Sequence, residues 1–296
     1  MSRRLLSPSL QTLLSRSKLR LNTALPFGGQ GDRSSRAKGA GLEFAEHRPY
    51  QPGDDLRHVD PHLEARLGQT FIRQYSVDQQ LPVTIVLDIS ASMGQGEPSK
   101  LDYAREVAAA LSYLALAAND RVRLAAVTDG KAQWSPWFSG PRNADRVFAW
   151  LLTLKASGEA SLAGSAKLLV PQLPKTGMVF LLSDWLAQDV GRLPTQLGGE
   201  GREVQALHVF TPDEEDPAVL AAGAALRVID SETGEEFDVA TSEQALGEYR
   251  LAWQEFTTTL REELQGQGAR YLPVVTTKPV EDLLLRDWTR MGLVQR

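Results

Sequence analysis

Asp88-Ile89-Ser90-Ala91-Ser92 places one carboxylate and two hydroxyls at alternate positions of a short segment. In an extended chain alternate side chains point the same way, so these three oxygens share one side. Hard oxygen donors of this kind suit Mg2+ or Mn2+, with Mg2+ usually keeping several waters in an octahedral shell. Gly94 and Gly96 allow the chain to fold back after the serines. A second acid, Asp184 in Ser183-Asp184-Trp185, faces the same place if the elements before the two acids are adjacent strands. Neither loop offers an obvious basic partner, so two nearby carboxylates call for a divalent cation or a partner's arginine or lysine. The competing reading is plain: aspartate and serine are ordinary turn and helix-capping residues.

Other reactive groups offer less. With no cysteine in 296 residues, disulfides, thiol catalysis and cysteine-ligated zinc or iron–sulfur centres are excluded. His58 and His62 have the i, i+4 spacing of a helical metal pair, but Pro61 stands between them and the H-E-x-x-H pattern is missing. With His47 and His208 they make four histidines, best accounted for by surface or capping roles. Ser165 lacks the glycine two places on that a nucleophile elbow needs. The six tryptophans read as packing residues, with Trp185 set apart by its place beside Asp184.

The elements that must position these groups can be read from the pattern. Pro82 to Leu87 is a continuous apolar run rich in β-branched residues, as expected of a strand buried on both faces. A helix is predicted from Ser99, its N-cap, to Ala118, with Asp102 at the third helical position. Strands follow at 121–127, 178–182, 204–210 and 270–275, with Ala132–Phe138 as an antiparallel partner reached through Asp129-Gly130. Helices fall near 143–153 and 162–170, with a short one before 204, a long one over 242–265 and a last one over 280–291. A small hairpin covers 226–239. Alternating strands and helices predict an α/β fold, a doubly wound, mostly parallel sheet of Rossmann type with an N-terminal extension. In such sheets ligands bind beyond the carboxyl ends of the strands, where Asp88 and Asp184 fall.

The net charge of −5 hides an asymmetry. Residues 1–40 carry eight lysines and arginines against Asp32 alone, while the rest carry 24 bases against 36 acids. Leu6, Leu10, Leu13, Leu14 and Leu21 recur at helical spacing within that basic stretch. Residues 1–38 thus read as a basic helix followed by a Gly/Ser linker. The helix either packs on the acidic domain or makes a peripheral membrane contact through residues 1–20, and the short stripe without aromatic anchors favours packing. No apolar run approaches the roughly 20 residues of a membrane span. A cytoplasmic protein with no nucleic-acid partner is expected.

Between these regions lies a charged segment, Gly41-Leu42-Glu43-Phe44 through Arg48-Pro49-Tyr50-Gln51-Pro52-Gly53-Asp54-Asp55-Leu56-Arg57-His58-Val59-Asp60 to Ala65-Arg66. Arg48, Asp54, Asp55, Arg57, Asp60 and Arg66 form either a docking surface or a fold-specifying ion-pair network. This segment, residues 39–80, resembles the signature of the bacterial "domain of unknown function fifty-eight" family. Residues 81–296 resemble a von Willebrand factor A domain, whose metal-ion-dependent adhesion site uses D-x-S-x-S. The resemblance implies Asp88, Ser90, Ser92 and Asp184 as metal ligands. It departs at Pro61, where the family has tryptophan, and at Ala160, where an A domain has threonine. Ser161 offers a substitute hydroxyl, and the loss implies weak Mg2+ or Mn2+ binding. Relatives of this family accompany MoxR-type AAA+ ATPases, which implies an adaptor or co-chaperone that binds such an ATPase or its client. The alternative is a Mg2+-dependent phosphatase of the haloacid-dehalogenase kind with Asp88 as nucleophile. That chemistry needs an acid two residues on, where Ser90 stands.

Overall fold

Val83, Thr84, Ile85 and Val86 are stiff, β-favouring residues without a helical stripe, and Pro82–Asp88 forms a strand (β1) buried on both faces. Its neighbours Arg121–Thr128 (β2) and Gly177–Ser183 (β4) both pair with it in parallel, which makes it central. Lys131–Trp134 (β3) runs antiparallel along β2. The turn between them uses Asp129 and Gly130 at φ +47° and +64°, the positive pair that a tight hairpin requires. Arg202–Phe210 (β5) and Ala269–Val275 (β6) extend the sheet in parallel beyond β4. Among the described residues this is a seven-stranded sheet of order β3-β2-β1-β4-β5-β6, with the short strand Phe138–Ser139 also paired to β2. The computed structural model describes residues 5–21, 34–35, 43–78, 80–159, 162–186, 190–199, 201–217, 226–229, 236–239 and 242–295.

Strand order reverses between β1 and β4, so the carboxyl ends of these two strands mark the switch point. Gly177 at φ +133° starts β4 so close to β1 that an added Cβ would lie 2.2 Å from the Pro82 carbonyl oxygen. Helices cover both faces. Lys100–Ala117 (α1) packs on β1 and β2 and is buried almost all round. On it rests Ala144–Thr153 (α2). Leu162–Leu169 (α3), Leu193–Gly198 (α4) and Glu243–Gly266 (α5) close the other face, where Val86, Val179, Leu181, Val204 and Ala206 join Leu169, Leu197 and Leu264 in one apolar cluster. The doubly wound, mostly parallel sheet expected from the sequence is the observed one.

The basic N-terminal segment is more structured than its composition implies. Pro8–Leu14 is a helix capped by Ser7, and it packs on α1. Leu5, Leu6, Leu10 and Leu14 are buried, while Arg16, Lys18 and Arg20 are exposed. Lys18–Leu19 then pairs antiparallel with Val294–Gln295. Most of the leucine stripe is spent on the protein's own core, while Leu13 stays exposed. Residues 1–20 and 81–296 form one compact unit, and residues 21–80 form a second.

Within the second unit, Glu43–Pro49 and Phe71–Asp78 pair antiparallel with a bulge between Phe44 and Glu46. Ser34–Ser35, expected in a linker, pairs with Val77–Asp78. The glycines of that linker lie outside the described residues. Helix Pro61–Leu67 is capped by Asp60 and stopped by Gly68 at φ +68°. Pro61 occupies the first helical position, where a missing N–H costs nothing.

Two expectations need correction in the first unit, and a third holds in part. Ala132–Phe138 is not one strand: Pro136 has no N–H to donate, and the chain leaves the sheet between Trp134 and Phe138. The 280–291 helix is a short α-turn, Val280–Asp282, running into a π-helical segment, Leu283–Trp288. The 226–239 hairpin exists as Leu226–Ile229 paired with Glu236–Val239, but its turn lies outside the described residues.

Candidate functional site

Asp88 is the last residue of β1, and Ser183 the last of β4, so parallel pairing sets them side by side. Ser183 Oγ donates to Asp88 Oδ2 at 2.7 Å. The Ser90 amide donates to Asp88 Oδ1 at 2.9 Å. Ser90 Oγ and Ser92 Oγ lie 3.1 Å apart and bond to each other. Ser183 Oγ also accepts from the Trp185 amide at 3.0 Å. Asp88, Ser90, Ser92, Ser183 and Asp184 are all buried. Burial first, and the negative charge of Asp184 second, push the Asp88 carboxyl up to about 6 against the pull of these hydrogen bonds.

The cation that meets Asp184 comes from neither loop. It is Lys100, the first residue of α1, whose Nζ donates to Asp184 Oδ2 at 2.7 Å. A second, shorter contact joins Nζ to Glu214 Oε1. The Lys100 side chain is 1% exposed and that of Asp184 2%. Burial would lower the lysine pKa, but the charges and hydrogen bonds of Asp184 and Glu214 outweigh it and leave the pKa raised. The remaining Asp184 oxygen accepts from the Leu186 amide at 3.3 Å. Glu214 Oε2 accepts from the Thr211 amide at 2.8 Å, half of a capping box on helix Pro212–Glu215 at the end of β5. The ends of β4 and β5 and the start of α1 are therefore linked through a single ammonium group.

The resembled adhesion site implies a divalent metal, and the described residues do not fit one. Each oxygen of Asp88 and Asp184 already accepts a hydrogen bond, and the two serine hydroxyls are bonded to each other. A divalent ion at Asp184 would crowd a buried ammonium of the same sign. Among the described residues no three histidine or acidic side chains converge to hold a metal. Ala160 and Ser161 lie outside the described residues.

The loop behind the site is held by backbone bonds. Ala91 N donates to Gly158 O at 2.9 Å, and Ser157 N to Ile89 O at 2.8 Å. Gln95 O accepts from Lys100 N at 2.9 Å, tying the serine loop to α1. Gly96, at φ +93°, faces Thr211 so closely that a Cβ would sit 2.5 Å from its methyl group. Trp185, at φ +57°, turns its ring into the core, where Nε1 donates to Leu207 O at 2.9 Å. The outer rim comprises Gln95, Glu97 and Leu186, all exposed.

Sequence reasoning placed Asp88, Ser90, Ser92 and Asp184 together but missed Lys100, Ser183 and Glu214. The signal for Glu214 was legible as the T-x-x-E capping pattern after a strand. Lys100 carried no local signal, since a lysine after a helix cap is usually solvated. His208 is also corrected: it is fully buried in β5, not at the surface. Its Nδ1 bonds Tyr271 OH at 2.8 Å amid the rings of Phe210, Trp253 and Phe256. Burial drives its pKa down to about 4, so it stays neutral.

In the second unit the charged signature resolves into local pairs. Arg48 Nη2 donates to Asp54 Oδ1 at 2.7 Å, and Arg57 Nη2 to Asp55 Oδ2 at 2.7 Å. Asp60 accepts from Arg73 Nε at 3.0 Å, bonds His47 at 2.9 Å, and caps the following helix through the amides of His62 and Leu63. The Arg73 and His47 bonds hold its carboxyl far below the usual range. His62 is exposed and forms no pair with His58 of the kind a metal needs. Arg66 is exposed and joins none of these pairs.

The strand order, the antiparallel edge at β3 and the D-x-S-x-S loop at the switch point define a von Willebrand factor A-like α/β domain. The chain belongs to the family described as "Protein of unknown function DUF58", which matches residues 46–262. An uncharacterized protein of Mycobacterium bovis is 30% identical over 222 residues, covering 72% of this chain and 68% of that one. Among solved structures, the conserved hypothetical protein BatB of Bacteroides thetaiotaomicron aligns with TM-score 0.45 and 16% identity, over 72% of this chain and 98% of BatB. The VWA domain of SpRpn10 aligns with TM-score 0.41 and 11% identity, over 70% of this chain and 94% of that domain. Likenesses this slight carry no argument about function, and the topology described above carries the fold. No helix among the described residues is long and apolar enough to cross a membrane.

Proposed function

We propose that this chain is a non-enzymatic protein-interaction module, an adaptor or co-chaperone for a MoxR-type AAA+ ATPase or its client. The partner docks on the loops at the carboxyl ends of β1 and β4, a degenerate adhesion-type site. The observation that supports this is the full internal engagement of Asp88. Both its oxygens are bonded within the chain, it is buried, and the position two residues on holds Ser90, itself bonded to Ser92. A phosphatase nucleophile needs open approach and an acid partner there. The same bonds make the loops rigid, and rigid loops lose little entropy on docking. Exposed Leu186 in the loop after β4 offers an apolar contact, and exposed Gln95 and Glu97 in the loop after β1 offer polar ones. The ATPase as partner rests on the company that the resembled family keeps. The absence of cysteine suits the reducing cytoplasm, where we place the protein.

Calorimetric titration of the full chain with a MoxR-type ATPase tests the reading. Leu186→Glu is expected to weaken binding at least tenfold while the fold is kept. Equal affinity for this variant and the wild type would move the docking face elsewhere, to the surface of Arg48, Asp54, Asp55 and Arg57. Turnover of an aryl phosphate with Mg2+, lost in Asp88→Asn, would restore the enzyme alternative.

A further inference from the structure

We propose that Lys100 is the resident cation of this site, an ammonium group built into the chain where the D-x-S-x-S arrangement of an A-type domain otherwise gathers a divalent ion. The inference deepens the docking reading, but its chemistry and its test stand apart from any partner. Three observations carry it. The first is position: Lys100 Nζ bridges Asp184 beyond β4 and Glu214 beyond β5, with both Lys100 and Asp184 buried. An acid from each of two neighbouring strand-end loops is what a bridging cation would hold together.

The second is that this lysine sits where a lysine is otherwise disfavoured. It occupies the first position of α1, at the positive end of the helix dipole, and it is withdrawn from water. Both costs run against it, and the two carboxylates alone offset them. The third is occupancy. Each oxygen of Asp88 and Asp184 accepts a bond within the chain, and a divalent ion beside Asp184 would lie against a buried ammonium of the same sign.

An attached ammonium does not depend on the concentration of any ion, so the loops hold their arrangement in the presence of a chelator. Its single charge and three N–H donors also select differently from a metal. A metal takes a partner's carboxylate directly into its coordination shell, whereas this ammonium is already enclosed. A partner therefore meets the loops that the lysine organises, not the cation itself.

The test compares the full-length wild type with Lys100→Met, using Mn2+ as probe. Free Mn2+ is followed by electron paramagnetic resonance, and thermal melting is followed with Mg2+, Mn2+ or EDTA. The wild type is expected to show no saturable Mn2+ site and no change in Tm with chelator. Lys100→Met exposes two carboxylates to the vacated volume and is expected to gain a saturable Mn2+ site at least tenfold tighter, with a Tm that rises as Mn2+ is added. Where Lys100→Met does not fold without metal, Lys100→Gln, which keeps donors without the charge, carries the same measurement. Saturable Mn2+ binding by the wild type, lost in Asp88→Asn, overturns the proposal. So does a folded Lys100 variant with no gain in Mn2+ affinity, or failure of both variants to fold at saturating Mn2+. Failure of the ATPase titration would sink the docking reading and leave these outcomes unchanged.

Discussion

Asp88→Asn keeps the shape of the Asp88 side chain and removes its charge. In the folded protein burial and Asp184 move this carboxyl from its usual 3.8 up to about 6. A raised carboxyl pKa means that the folded chain holds the proton more tightly than the unfolded chain does. The stability it contributes is therefore fully present below pH 3.8 and is lost as pH climbs through 6. At about 1.36 kcal/mol per pH unit, the ionised group costs about 3 kcal/mol by pH 7 and only about 0.6 kcal/mol at pH 4. Asparagine does not ionise. Its carbonyl still accepts from the Ser90 amide, and its NH2 can donate to Ser183 Oγ once that hydroxyl turns. The unfolding free energy of the variant minus that of the wild type should thus grow by about 2 kcal/mol between pH 4 and pH 7. Urea unfolding at constant ionic strength, read by tryptophan fluorescence at several pH values, measures it. A difference that stays flat or shrinks with rising pH would refute the reasoning, because it would mean that Asp88 already ionises freely inside the fold.

Lys100→Met should cost about 3–5 kcal/mol in metal-free buffer, since it strands buried acids, while Glu214→Gln should cost about 1.5–3 kcal/mol. Chemical denaturation gives both values, and the reverse ranking would show that Glu214, not Asp184, is the main partner of the lysine. Leu14→Ala should lower stability by about 2–5 kcal/mol, because Leu14 is wholly buried in the helix that packs on α1. The full chain should leave anionic vesicles unbound in a flotation assay, and salt-sensitive binding lost on deletion of residues 1–20 would show that their basic face reaches lipid. Trp185→Phe removes the bond to Leu207 O and should cost about 1–3 kcal/mol, read as a lower urea midpoint at an unchanged slope.

The parallel sheet was legible because its strands are buried on both faces and read as continuous apolar runs, PVTIVL and MVFLL above all. Helix α1 was legible through the Ser99 cap, whose Oγ accepts from the Asp102 amide at 3.1 Å. What failed was of two kinds. The strand through Ala132–Phe138 failed because Pro136 breaks a pairing that side-chain alternation alone does not reveal. The counter-ion of the site was missed because the search ran along the loops, whereas Lys100 reaches Asp184 across 84 positions of sequence. Its contact depends on how α1 lies against the sheet, which no local spacing encodes. His208 was misjudged for the same reason: its burial comes from Trp253 and Phe256, supplied by α5.

The pairing of Leu19 with Val294 has a consequence for synthesis. A ribosome adds roughly 5–20 residues each second, so the 275 positions between these partners take about 14–55 seconds to make. The helix that carries Leu10 and Leu14 can settle once α1, which ends at Ala117, has emerged. Its attached strand cannot, because its mate does not yet exist. Throughout that interval Lys18–Leu19 lacks its strand mate beside a forming core, open to a chaperone or to a neighbouring nascent chain. Reaching residue 294 is the step that closes it.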